Sequence, residues 1–144
     1  MTRLLILDNT PRQLEVIRDL ALGVGFAPDD IVIAETSEDA ERRLRAVAEQ
    51  REAPFQIAVV DIHLGDGLED AGVQFIPTLL NSQHGCKVIA LTMGCPDSDG
   101  VRAIAHGAAD FISARWGLPW YELLERKLSI FKALVEGTKF PLSV

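Results

Sequence analysis

Apolar residues along the chain fall into two alternating patterns. Uninterrupted runs at Leu4–Leu7, Ile31–Ala34, Ile57–Val60, Val88–Leu91 and Phe111–Ile112 have the length of strands. The central three are rich in Val, Ile and Leu with no polar alternation, as in strands covered on both faces. Between the runs, apolar positions recur three and four residues apart, the spacing of one helix face. The first such stretch has Thr10 as its N-cap and Pro11 at the first helical position, where a missing N–H costs nothing. It carries Leu14, Ile17, Ala21 and Val24, and Gly23 and Gly25 are suited to ending it. The second opens on the capping pattern Thr36-Ser37-Glu38-Asp39 and is expected to bury Ala40, Leu44, Val47 and Ala48. The third carries Val73, Ile76, Leu79 and Leu80 around Pro77, which predicts a late start or a kink. The fourth is short, with Val101, Ile104 and Ala105 as its apolar positions. The fifth runs from Pro119 to about Val135, with Leu124, Leu128, Phe131 and Val135 on one face.

Five strand–helix units without a hairpin signal predict an α/β fold: a parallel sheet with right-handed crossovers and helices on both faces. In such sheets ligands bind beyond the carboxyl ends of the strands, near the point where strand order reverses. One domain is expected over residues 1–136, followed by a short tail, 137–144.

Bulk properties narrow the function classes. With 144 residues, 48% of them hydrophobic and 24% charged, the chain suits one globular domain with a real core. A formal net charge of −7 repels phosphate backbones, so direct nucleic-acid binding is not expected. The opening apolar run is too short for a signal peptide or a membrane span. Cys86 and Cys95 flank the fourth run, ~30 Å apart at ~3.3 Å per strand residue, too far for a disulfide. Free thiols without an export signal point to the cytoplasm, away from the membrane.

The strand ends carry the candidate chemistry. The first run ends in Asp8-Asn9, the third in Asp61 and the fourth in Thr92. If those strands are neighbours at ~4.8 Å spacing, the side chains converge on one cleft. Two carboxylates and an amide make an oxygen-rich site suited to Mg²⁺. Without a cation the carboxylates repel, and at least one pKa should rise. A carboxylate beside Mg²⁺ can attack a phosphoryl donor and form an acyl phosphate, with a hydroxyl such as Thr92 binding one phosphoryl oxygen.

Four motifs in order resemble those of response-regulator receiver domains, the CheY-like family. Leu4-Leu5-Ile6-Leu7-Asp8-Asn9 is similar to the family's first strand and Ile57-Ala58-Val59-Val60-Asp61-Ile62 to its phosphoacceptor strand. Val88-Ile89-Ala90-Leu91-Thr92 is similar to its switch strand, and Gly107-Ala108-Ala109-Asp110-Phe111-Ile112 to the entry of its fifth strand. The resemblance extends from about Arg3 to Val135. It implies a flavodoxin-like, doubly wound sheet of five parallel strands in the order 2-1-3-4-5, with five helices. It also implies two-component phosphorelay signalling, not an enzyme with a separate substrate. Asp61 would accept a phosphoryl group from a sensor histidine kinase or a phosphotransfer protein. Asp8, Asn9, Asp61 and the backbone carbonyl of His63 would hold Mg²⁺, and Thr92 and Phe111 would be the switch residues. The face formed by the fourth helix, fifth strand and fifth helix would serve an effector or a homodimer, and Trp116, Trp120 and Tyr121 border it. That aromatic group reads either as local packing or as a partner surface.

The sequence departs from the family pattern at several positions. Asn9 stands where the family has a second acid; its amide can coordinate a cation, but without charge. Ala114, seven residues after Gly107, stands where the family has a lysine. The proline after that lysine is also missing, and the neighbouring Arg115 would point the other way on an extended segment. The loop from Leu64 to Gly72 lacks the family's proline; Asp66 could approach the metal, but Asp66, Glu69 and Asp70 read best as solvated. Metal affinity and phosphoryl capture should both weaken. A second reading therefore stays open, a phosphorylation-independent pseudo-receiver acting as a protein–protein interaction module. A third reading, a small phosphatase-like enzyme, lacks the acid that would protonate the leaving group, since Thr10 occupies its position; turnover of a phosphate ester would favour it. A cobalamin box beginning Asp61-Ile62-His63 fails because Asp66 takes the glycine position. His84 and His106 read as surface residues near helix ends.

Overall fold

Five parallel strands form the centre of the protein: β1 (Arg3–Leu7), β2 (Ile31–Ala34), β3 (Phe55–Asp61), β4 (Lys87–Thr92) and β5 (Asp110–Ser113). They come from a computed structural model that describes residues 2–64, 71–92, 97–113 and 119–137. The strand order is β2-β1-β3-β4-β5, and every pairing is parallel. Five helices alternate with the strands: α1 (Pro11–Val24), α2 (Ser37–Gln50), α3 (Ala71–Ser82), α4 (Asp97–Ala105) and α5 (Trp120–Val135). This is the doubly wound fold, and its order reverses between β1 and β3.

Alternate residues of the central strands serve two cores. Leu5, Leu7, Ala58, Val60, Val88 and Ala90 pack with α2, α3 and α4. Leu4, Ile6, Ile57, Val59, Ile89 and Leu91 pack with α1 and α5. Burial on both faces accounts for the absence of polar alternation in these runs.

The helix boundaries reflect local chemistry, with corrections. Pro11 opens α1, and Gly25, at φ 115°, ends it by donating its N–H to the carbonyls of Ala21 and Leu22. Thr10 occupies the cap position, but its side chain makes no capping bond. Gly23 lies inside the helix. Thr36 does cap α2, its hydroxyl accepting from the Asp39 N–H at 3.0 Å. Ala40, Leu44 and Val47 are buried in α2, whereas Ala48 is exposed. It sits about 100° further round the helix than Val47, past the edge of a narrow buried stripe. α3 runs through Pro77 from Ala71, so no late start occurs. At its first turn Gly72 lies against the end of β3, where a Cβ would run into the Asp61 carbonyl oxygen. α5 buries Leu124 and Leu128, and Phe131 and Val135 are half-buried.

α4 reverses the sequence expectation. Val101 and Ile104 are 62% and 41% exposed, and Ala105 is exposed as well. The inward face is Gly100 and Ala103. The reason is Phe111 on β5, whose ring lies directly against Gly100, where a Cβ would clash with it. Only small residues fit beneath α4, so its larger apolar side chains point outward. Among the described residues no helix is long and apolar enough to cross a membrane. Cys86 is buried and free, and Cys95 lies outside the described residues.

Candidate functional site at the carboxyl edge of the sheet

β1, β3 and β4 lie side by side in level register: Leu7 is opposite Val60, and Asp61 is opposite Leu91. Residues that terminate these strands therefore arrive at one edge together. Asp8, Asp61 and Thr92 are all buried there. Each comes directly after an apolar run, so the strand ends just where the first polar side chain can turn towards the cleft.

Asp8 is anchored on one side only. Its Oδ1 accepts the Thr10 N–H at 2.8 Å, while its Oδ2 is buried with no hydrogen-bond partner among the described residues. Asp61 Oδ1 accepts the His63 N–H at 3.1 Å. The two carboxyl groups are close enough to share a hydrogen bond. Burial, and after it the charge of Asp8, pushes the Asp61 pKa up to about 7, against the pull of the His63 N–H. Burial also raises Asp8, while the Thr10 N–H and the bond with Asp61 act the other way. Below about pH 7 the pair thus retains a proton that two separate carboxyl groups would have released.

These donors fit a hard divalent cation. A buried carboxylate oxygen without a donor is costly to leave unsatisfied, and a second carboxyl beside it adds charge of the same sign. A cation would satisfy the first and offset the second. Half-buried Asn9 is next to Asp8, and the His63 backbone is two residues from Asp61, so an amide and a carbonyl oxygen are near at hand. Among the described residues no group of three or more His, Cys, Asp or Glu side chains is gathered to hold a metal. The set offers two carboxylates, with neutral oxygens for the remainder.

The other candidate residues lie around this pair. The Thr92 hydroxyl donates to the Ile112 carbonyl at 3.2 Å, so it leans on β5, next to Phe111. Phe111 is half-buried against α4. The His63 ring lies 3.4 Å from Asp99 Oδ2, and Arg102 reaches the other oxygen of Asp99 at 3.5 Å. The residues after Asp61 are thereby tied to α4. Sequence reasoning missed Asp99 and Gly100, because neither lies at a strand end or in a motif. Trp120 and Tyr121 pack edge to face, with ring centroids 6.0 Å apart. Trp120 packs against the α1/α5 core, whereas Tyr121 is exposed. Trp116, Ala114, Arg115, Asp66, Glu69 and Asp70 lie outside the described residues.

No protein-family model matches the chain, and no curated protein matches it. Solved structures do. A CheY-like response regulator receiver domain protein from Methanospirillum hungatei superposes with a TM-score of 0.71 at 20% identity, covering 96% of this chain and 99% of that one. The receiver domain of NtrX from Brucella abortus gives 0.67 at 18% identity, covering 94% and 99%. A response regulator protein from Burkholderia pseudomallei, solved with a phosphorylated aspartic acid, a calcium ion and citrate, gives 0.67 at 20%, covering 93% and 74%. This chain has the receiver-domain fold.

Proposed function

We propose that this chain is a signalling receiver in two-component phosphorelay, with Asp61 as its phosphoacceptor. The observation that carries the reading is the buried Asp8–Asp61 pair at the strand edge, with one carboxylate oxygen left without a donor among the described residues. Asp61, once ionised, attacks the phosphorus of a phosphohistidine on a sensor kinase or phosphotransfer protein. A P–O bond forms, the P–N bond breaks, and the departing imidazole takes up a proton. When bound, Mg²⁺ offsets the charge on the phosphoryl oxygens and favours ionised Asp61. Asp8, Asn9, Asp61 and the His63 carbonyl would hold it. Thr92 exchanges the Ile112 carbonyl for a phosphoryl oxygen, and Phe111 responds on the neighbouring strand. The output surface is the α4-β5-α5 face, where Val101, Ile104 and Tyr121 stand exposed and would meet an effector or a second copy. A kinase donor places the domain in the cytoplasm.

A second reading has its own support. With Asn9 and Ala114 the site lacks one acid and one lysine of the receiver pattern, and Thr92 already has a partner. A pseudo-receiver that binds a protein partner without phosphorylation would keep the fold and the exposed face. Acetyl phosphate with millimolar Mg²⁺, read by intact mass, separates the two. Gain of one phosphoryl group, absent in Asp61→Asn, is the expected result. No gain in mass, and no spectral response to beryllofluoride, would give the function to the interaction module.

A further inference from the structure

His63 stands at the surface while both its neighbours, Ile62 and Leu64, are buried in the core. The backbone before it is firmly held. The Ile62 N–H donates to the Leu91 carbonyl at 3.1 Å, and the Ile62 carbonyl accepts the Gly72 N–H at 3.3 Å. The His63 N–H donates to Asp61 Oδ1. What remains to be fixed is the direction of the His63 carbonyl, the oxygen that would meet the cation. The His63 ring runs from this segment to α4, where its Nε2 lies 3.4 Å from Asp99 Oδ2 in the first turn. A carboxylate can only accept, so the ring donates from Nε2. The Asp99 side chain is 18% exposed, and Arg102 reaches its other oxygen at 3.5 Å, so the acceptor is itself held in place. The next residue, Gly100, lies against Phe111.

We propose that Asp99 is a positioning residue: through the His63 ring it sets the His63 carbonyl beside Asp61, and it links the state of that cleft to α4. The inference rests on the receiver reading, since it concerns the same cation. With the backbone pinned at Ile62 and the ring pinned at Asp99, His63 has little rotation left. Its carbonyl is aligned before a cation arrives, and less freedom is lost on binding. Linkage makes the effect reciprocal: a cation that favours this placement of His63 also favours the docked first turn of α4. The same helix presents Val101 and Ile104 to solvent. The contact therefore joins the carboxylates to the output face by a path separate from Thr92 and Phe111. Asp99 acts only through His63; it is not itself a ligand.

The test uses the full chain and compares wild type with His63→Ala, Asp99→Ala, Asp99→Asn and the double alanine variant. Neither side chain belongs to a core, so the variants fold. Calorimetry with Mg²⁺ at fixed ionic strength gives the affinity. Either alanine variant should bind about two- to fivefold more weakly, the range of a partly exposed pair. The double variant should be no weaker than the singles, because all three lose one contact. Asp99→Asn keeps an acceptor for the ring without the charge, and should recover most of the affinity. Mg²⁺-induced NMR shifts at the Val101 and Ile104 methyls should shrink in Asp99→Ala and persist in Asp99→Asn. Alanine variants with wild-type affinity and wild-type methyl shifts would overturn the proposal. So would losses that multiply in the double variant, or an Asp99→Asn as weak as Asp99→Ala, since charge at a distance would then be the whole effect. In those cases wild type still binds Mg²⁺ and still gains a phosphoryl group from acetyl phosphate, so the receiver reading survives. A wild type that binds no Mg²⁺ would remove the cation cleft, and both readings with it.

Discussion

Replacing Asp61 by Asn should stabilise the metal-free protein at alkaline pH and do little at acid pH. The Asp61 pKa, about 7 in the fold, lies above its ordinary 3.8. Between those values the folded state holds a proton that the unfolded chain has released. Stability therefore falls as pH rises through this window, and the contribution is fully lost above about pH 7. A displacement from 3.8 to about 7 corresponds to at most roughly 4 kcal/mol, and relaxation around a partly hydrated cleft should bring it nearer 2. An asparagine never ionises, keeps the shape, and can donate its amide N–H to the Asp8 oxygen that lacks a partner among the described residues. In EDTA near pH 8, Asp61→Asn should thus be about 2–4 kcal/mol more stable than wild type in urea unfolding, with the gap closing towards about pH 4. Millimolar Mg²⁺ should recover much of the wild-type deficit, since binding to the folded state alone stabilises it. Wild-type stability that is flat across this range, or an Asp61→Asn variant weaker than wild type at pH 8, would contradict the account of a strained carboxylate pair.

Gly100→Ala would set a methyl against the Phe111 ring, which should cost about 1–3 kcal/mol by overpacking or turn the ring outward. A double-mutant cycle with Phe111→Ala should show most of that cost disappearing, and methyl–aromatic NMR contacts should report the ring. Thr36→Ala removes the α2 cap and should lose about 1 kcal/mol in chemical denaturation. Burial pushes the Cys86 thiol up to about 12; peptide mapping after alkylation of the native protein at mildly alkaline pH should find it unmodified, and modified once unfolded.

The central strands β1, β3 and β4 were legible because burial on both faces leaves long apolar runs within them, and in all five strands the apolar run fell within one or two residues of the observed strand. The same contrast exposed the site, since Asp8, Asp61 and Thr92 stand where the apolar runs stop. α4 misled for a physical reason. Its apolar residues have helical spacing, but the space beneath the helix was already filled from β5. A face of Gly100 and Ala103 carries little hydrophobic signal, although it is the face that packs. Ala48 was misplaced because an alanine at the margin of a stripe reads the same as one within it. Thr10 failed as a side-chain cap while its N–H was engaged by Asp8, a demand the functional residue makes on local structure. The His63–Asp99 and Gly100–Phe111 contacts join distant parts of the chain through the tertiary fold, and no local pattern announces such pairs.

The departures at Asn9 and Ala114 change the site's chemistry in a direction that can be worked out. Among the described residues the cleft holds two carboxylates, and below about pH 7 the pair keeps a proton that a cation must displace to bind. Apparent Mg²⁺ affinity should therefore rise with pH, by up to about tenfold per pH unit below the Asp61 pKa, and level off above about 7. Asn9→Asp adds a charged ligand, which strengthens binding once the site is ionised. It also adds repulsion, which moves the proton-release step to higher pH. The variant's affinity curve should thus be steeper and cross that of wild type: weaker or equal at mildly acid pH, tighter in alkali. Isothermal titration in buffers of different ionisation enthalpy measures both the affinity and the proton released. If Mg²⁺ bound wild type without releasing a proton below pH 7, the cation would not be meeting the Asp8–Asp61 pair. The metal step, and the phosphoryl transfer that depends on it, would then have to be placed elsewhere.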